Sequence, residues 1–209
     1  MQTPAKDRDT RFWDKSAEKY AAQKVADEET YRIKLERTGA LFTPEMTVME
    51  FGCGTGTTAL HHAPAVARID AYDISENMIA IAREKAEKAG ITNVAFRAGD
   101  VEDIDGGPYD AVMAHSILHL LKNRRAVLAK VHAMLKPGGL FISSTACIAD
   151  GLGFLRPILP VMRLFGKAPY VGVFSQSTLV EEMRQAGFSI VEEWRPAKMK
   201  AAFVIARKG

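Results

Sequence analysis

Short apolar runs alternating with helix-length amphipathic segments predict an α/β fold: a mostly parallel, seven-stranded sheet with helices on both faces. Three observations carry this expectation. The apolar run 48–51 ends in Glu50-Phe51, enters the turn Gly52-Cys53-Gly54-Thr55-Gly56 and continues into Thr57-Thr58-Ala59-Leu60, a helix start. The strand-then-acid pattern recurs at Asp73 and Asp100. The last two apolar runs, 188–194 and 201–207, are joined by a Pro-containing segment too short for a crossover helix, so they should pair antiparallel.

Each element has its own signal. In a first helix, Trp13, Ala17 and Tyr20 recur at i, i+4 and i+7 and make one apolar face. A second opens on Asp27-Glu28-Glu29, acids suited to a helix N-terminus, and places Tyr31, Leu35 and Phe42 together. Strands are expected at 47–51, 67–72, 93–98, 109–114 and 139–145. Between them fall helices at 56–65, 75–89 (ended by Gly90) and 122–135 (stopped by Pro137). Ser75 is a good N-cap, with Ile74 and Ile79 spaced as a hydrophobic staple. A helix over 176–186 ends at Gly187 before the closing strands. The organisation is one domain over 1–209: N-terminal helices at 10–42, a core at 47–146, a variable insertion at 147–175 and a closing unit at 176–209.

Composition narrows the classes. The 209 residues, 47% hydrophobic and 25% charged, suffice for a core without staples. A net charge of +3, with scattered lysines and arginines, lacks the dense basic run of a nucleic-acid binder. Cys53 and Cys147 make no disulfide framework, no histidine shares metal-ligand spacing with them, and a reduced cytoplasmic compartment is expected. The polar start is no signal peptide, and no apolar run nears the roughly 20 residues that span a bilayer.

A strand running into a glycine turn and then a helix makes a nucleotide cradle, because absent Cβ atoms let backbone N–H groups approach a ligand at a helix N-terminus. Asp73, seventeen residues after Gly56, stands where an acid accepts ribose hydroxyls. Thr57 replaces the third glycine of the Gly-x-Gly-x-x-Gly dinucleotide fingerprint, which disfavours an NAD-dependent dehydrogenase.

Glu50 to Gly56, Tyr72-Asp73-Ile74-Ser75, Gly99-Asp100-Val101, Tyr109-Asp110-Ala111-Val112 and Leu135-Lys136-Pro137-Gly138-Gly139-Leu140 resemble, in order and spacing, the motifs of class I S-adenosylmethionine-dependent methyltransferases. The resemblance runs from about Phe12 to Lys208 and looks closest to the small-molecule branch with the ubiquinone/menaquinone-type enzymes. It implies a Rossmann-like sheet with a C-terminal antiparallel strand, an N-terminal helical lid, and S-adenosyl-L-methionine as cofactor. Gly52, Gly54 and Gly56 would cradle the methionine part, with Cys53 a small filler inside the loop. Glu50 would support the loop or the ammonium, Asp73 the ribose, Ile74 the adenine face, and Asp100 with Val101 the adenine edge. Tyr20 or Trp13 would cover the methyl group, although their spacing equally suits core packing.

His115-Ser116-Ile117-Leu118 replaces the Asn/Asp-Pro-Pro-aromatic motif of enzymes acting on base amines or glutamine, which counts against that class. His115 should lie near the cofactor, and His119 could face the acceptor as a general base or merely shape the pocket. His61, His62 and His132 read as solvated surface. The apolar stretch 151–167, with Arg156, Arg163 and Lys167 on one side, reads as an acceptor-facing cover, a membrane contact or a dimer face. The expected acceptor is small and lipophilic or aromatic, and the protein a monomer or homodimer. A membrane-surface phospholipid or quinone methyltransferase, and a cofactor-binding protein without transferase activity, are the alternatives.

Overall fold

The computed structural model describes residues 7–23 and 25–209. Two helices, α1 (Arg8–Ala22) and α2 (Glu28–Gly39), precede the sheet. Asp7 and Asp27 cap them, accepting from the N–H groups of Arg8 and Thr30. Seven strands follow: β1 (Thr47–Phe51), β2 (Arg68–Asp73), β3 (Val94–Ala98), β4 (Tyr109–His115), β5 (Leu135–Thr145), β6 (Phe188–Trp194) and β7 (Ala202–Lys208). They form one sheet in the order β3-β2-β1-β4-β5-β7-β6. β1 to β5 pair parallel, and β7 is antiparallel to both neighbours, β5 and β6.

The crossovers are α3 (Thr57–His62), α4 (Glu76–Ala89) and α5 (Arg124–Met134), with α6 (Ile158–Leu164) in the insertion and α7 (Gln176–Gln185) before β6. Side chains alternate across the sheet and feed two cores. Val112 and Ala114 pack with Met49, Val127, Leu128 and Leu179 on one face. Ala111 and Met113 pack with Val48, Ile69, Ile79 and Phe203 on the other.

Local departures from expectation have local causes. The helix expected over 56–65 stops at His62 and finishes as a 3-10 turn, because Pro64 lacks the N–H needed for another α turn. Phe42 lies beyond α2 and packs edge-on against His62. β5 starts at Leu135, pairs with Tyr109, bulges through Pro137, Gly138 and Gly139, and resumes pairing at Leu140. Among the described residues no helix is long and apolar enough to cross a membrane.

Candidate functional site

The chain reverses its direction of growth across the sheet between β1 and β4, and beyond their C-terminal ends lies a cleft of about 360 Å³. An open α/β sheet binds ligands at such a switch point. Gly52, Gly54, Asp73, Ile74, Asp100, Val101, His115 and Tyr20 all line it, together with Trp13, Leu120, Leu121 and Asn123.

The three loop glycines do different work. All have positive φ, at 65°, 53° and 75° for Gly52, Gly54 and Gly56. A Cβ on Gly52 would fall 2.6 Å from Ile117, and one on Gly56 would fall 2.7 Å from the Phe96 ring. Protein atoms thus hold those two positions. On Gly54 the nearest atom would be Tyr20 Cε1 at 3.6 Å, so its open side faces the cleft. Gly56 is not a lining residue: its N–H bonds the Cys53 carbonyl, and it serves the approach of α4 and β3.

Glu50 and Cys53 also stay behind the wall. Glu50 is buried and accepts from the Ala59 N–H in the first turn of α3, while its Oε2 has no partner among the described residues. Desolvation, then the nearby Asp73 charge, push its carboxyl up to about 8. It braces the loop from below. Burial, followed by Glu50 and Asp73, drives the Cys53 thiol far above its usual range, so it is no nucleophile.

Asp73 ties the cleft together. Its Oδ2 accepts from Gly54 N–H and its Oδ1 from Ser75 N–H, both at 2.9 Å. Desolvation raises its carboxyl despite those two bonds. Ser75 caps α4 through the Met78 N–H and donates its hydroxyl to Asp14 of α1 at 2.7 Å. The lid helix is therefore anchored beside the cofactor loop. Asp100 accepts from the Glu102 N–H at 3.0 Å, closing its own turn while lining the cleft.

The histidines need corrections. His115 lines the cleft, and desolvation, followed by His62 and Lys34, lowers it to about 3; it is neutral at ordinary pH, with Nε2 unpartnered among the described residues. His119 lies in the 3-10 turn Leu118–Leu120 but is not on the cleft wall, and its carbonyl accepts from Gly172. Burial lowers its imidazole to about 4, too low for an effective base near neutrality. His62 is not surface: it is 2% exposed, and burial, then His61, pull it down to about 4. His132 packs edge-on against Phe188.

The cover also differs from expectation. Residues 151–167 line neither this cleft nor a second cavity behind His115, and the cleft is covered by α1 through Thr10, Trp13 and the half-exposed Tyr20. The insertion instead props α1: Arg163 pairs with Asp9 at 2.9 Å, and Tyr170 N–H bonds the same carboxylate at 3.0 Å.

Sequence reading missed Ser116, Lys34 and Ser144. Ser116 has φ 57°, a rare left-handed backbone for a non-glycine residue, just where strain collects at functional sites. No local pattern marks it.

An open α/β sheet with a glycine loop, a ribose-height acid and an aromatic lid over one cleft defines a cofactor-dependent enzyme of the nucleotide-binding class. A family model described as a methyltransferase domain matches residues 42–200. The ubiquinone biosynthesis O-methyltransferase of Xanthomonas axonopodis pv. citri is 26% identical over 182 residues, covering 78% of this chain and 74% of that protein. The malonyl-[acyl-carrier protein] O-methyltransferase of Halalkalibacterium halodurans is 26% identical over 212 residues, covering 88% and 77%. The crystal structure of magnesium protoporphyrin IX methyltransferase from Synechocystis shares the fold, at TM-score 0.74 and 18% identity over 96% of this chain and 98% of that one. The chain belongs to the methyltransferase-domain family and is an S-adenosylmethionine-dependent methyltransferase.

The residues present fit that cofactor. Gly54 leaves room where a Cβ would intrude, Asp73 keeps acceptor capacity beyond its two backbone bonds, and Ile74 and Val101 supply apolar walls. Among the described residues no group of His, Cys, Asp and Glu could hold a metal.

Proposed function

We propose that the protein methylates a small lipophilic or aromatic acceptor. One observation carries this reading: the cleft joins the glycine loop and Asp73 to an apolar and aromatic cover of Trp13, Tyr20, Leu120 and Leu121. Gly54, Asp73, Ile74, Asp100 and Val101 would hold the cofactor, whose sulfonium supplies an activated methyl group. The protein's own part is proximity, alignment and exclusion of water. Tyr20 narrows the cleft above Gly54, and His115 offers a neutral imidazole on the shared wall. No strong base is assigned, so the acceptor's attacking atom either carries a free lone pair, as a neutral amine does, or sheds its proton readily. The test is a screen of aromatic and lipophilic acceptors for S-adenosylhomocysteine production, with mass identification of the product. Cofactor binding without turnover on any acceptor would leave a binding protein instead.

A second reading concerns place of action. Phe154, Leu164 and Phe165 are 67%, 68% and 71% exposed. A shallow groove lined by Gly166 and Ala168 also holds Arg8, Arg11 and Lys15 of α1, so cations border the segment that follows Phe165. Exposed apolar side chains flanked by cations suit an anionic bilayer surface. Co-sedimentation with phosphatidylglycerol vesicles but not phosphatidylcholine vesicles is the expected result; equal behaviour with both removes this reading.

A further inference from the structure

A second cavity of about 330 Å³ lies on the other side of His115 and Ser116, which line both spaces. Its walls come from α2, the end of β5 and the segment between β6 and β7. One feature sets its chemistry. Lys34 Nζ is half-buried and donates to Ser144 Oγ at 2.8 Å, and no carboxylate pairs with it among the described residues. The nearby acid, Asp27, is already engaged by Lys200 Nζ at 2.7 Å and by the Thr30 N–H at 3.1 Å. Desolvation lowers the Lys34 pKa, and the attraction of the nearby Asp27 carboxylate does not offset it. On another wall Tyr31 and Thr58 hydroxyls share a bond of 3.1 Å.

Resting on the methyltransferase reading above, we propose that this second cavity receives the acceptor, and that the acceptor carries a carboxylate which pairs with Lys34 and Ser144. The attacking end then reaches the cofactor cleft past His115 and Ser116. A half-buried cation with no carboxylate bonded to it favours a ligand that brings one, and charge-assisted bonds are the strong ones. Lys200, the other ammonium of the lining, is paired with Asp27, so one unpaired ammonium beside hydroxyls is left, which matches a monoanion. Among the described residues the cavity lining includes no arginine fork of the kind that recognises phosphate in two places. The family match starts at residue 42, so Lys34 lies on a helix outside it, where an element can vary with the acceptor.

The experiment titrates the protein, loaded with S-adenosylhomocysteine, with benzoate, cinnamate and hexanoate, each against its methyl ester, and with phenyl phosphate. At least one acid should bind about tenfold or more tighter than its ester. Lys34→Met should erase that preference, and Lys34→Arg should retain much of it. S-adenosylhomocysteine affinity, measured separately by calorimetry, should stay the same in both variants. A wild-type protein that fails to bind S-adenosylhomocysteine refutes the methyltransferase reading, whatever the acids do. Acids binding no better than esters, a preference that survives Lys34→Met, or tighter binding of phenyl phosphate than of benzoate overturns the carboxylate assignment. If Lys34→Met also weakens the cofactor, Lys34→Arg decides: without recovery of acid preference the assignment falls.

Discussion

The β1–β2 edge and the 147–175 insertion solve opposite problems. At the edge, binding groups belong to the backbone or to side chains already tied to it: Asp73 holds Gly54 and Ser75, and Glu50 holds Ala59. Little is left to move, so a ligand there meets a preorganised surface. The insertion is pinned at its ends by the buried Cys147 and Phe174 and by Arg195 on Asp150, and in its middle by Arg163 on Asp9, yet leaves Phe154, Leu164 and Phe165 in solvent. The proposed function thus puts cofactor recognition on groups fixed at strand ends and acceptor choice on side chains of the N-terminal helices, with the insertion lining neither cavity.

Replacing Asp73 by Ala should break the first region most severely. Two backbone N–H groups lose a charged partner, at about 1.5–3 kcal/mol for such a bond. Calorimetry should show S-adenosylmethionine affinity falling about ten- to a hundredfold, with a lowered melting temperature. Unchanged affinity would show that Asp73 serves the loop and not the ligand.

Two glycines sharpen the contrast within the loop. Both Gly54→Ala and Gly56→Ala place a Cβ at positive φ, at a cost of roughly 1–2 kcal/mol. The Gly56 methyl would also meet Phe96 at 2.7 Å. Gly56→Ala should therefore lower the melting temperature more, and Gly54→Ala the cofactor affinity more. Equal losses on both readouts would undo the division of labour.

The pH profile tests the buried titratable groups at and behind the cleft. His62, His115 and His119 fold with values near 4, 3 and 4, below the ordinary 6.5. The unfolded chain then binds more protons than the folded one in that window. Their contribution is fully present above about 6.5 and is lost as pH falls toward 3–4. Glu50 runs the other way: raised from 4.5 to about 8, it destabilises the fold as pH rises across that interval. Urea midpoints should fall from pH 6.5 to 5, and Glu50→Gln should help more at pH 8 than at pH 5. A Glu50→Gln gain independent of pH would mean the carboxyl titrates normally.

A smaller effect is expected at His119. Set off the wall and lowered by burial, it should tolerate His119→Ala with turnover above a third of wild type, while His115→Ala reduces turnover further. The reverse order would restore His119 as a base. The smallest effect belongs to Phe154→Ser with Phe165→Ser. Stability should stay within about 0.5 kcal/mol for each exposed site and cofactor affinity should not move, while binding to anionic vesicles drops.

The sequence by itself determined the order of elements, the sheet class, the glycine loop and the ranks of Asp73 and Asp100. These follow from short-range signals: period-two burial, caps such as Ser75, and glycines at positive φ. A parallel sheet then brings every strand's C-terminal end to one edge, so acids at those ends meet whatever the details. Tertiary structure alone decided which glycine opens to the cleft, that α1 and not 151–167 covers it, that His62 is buried, and that Lys34 meets Ser144 across 110 residues. A lysine on a charged helix reads as solvated, because local periodicity says which residues share a face and nothing about what that face meets. Its burial comes from β5 and from the segment between β6 and β7, far along the chain from α2.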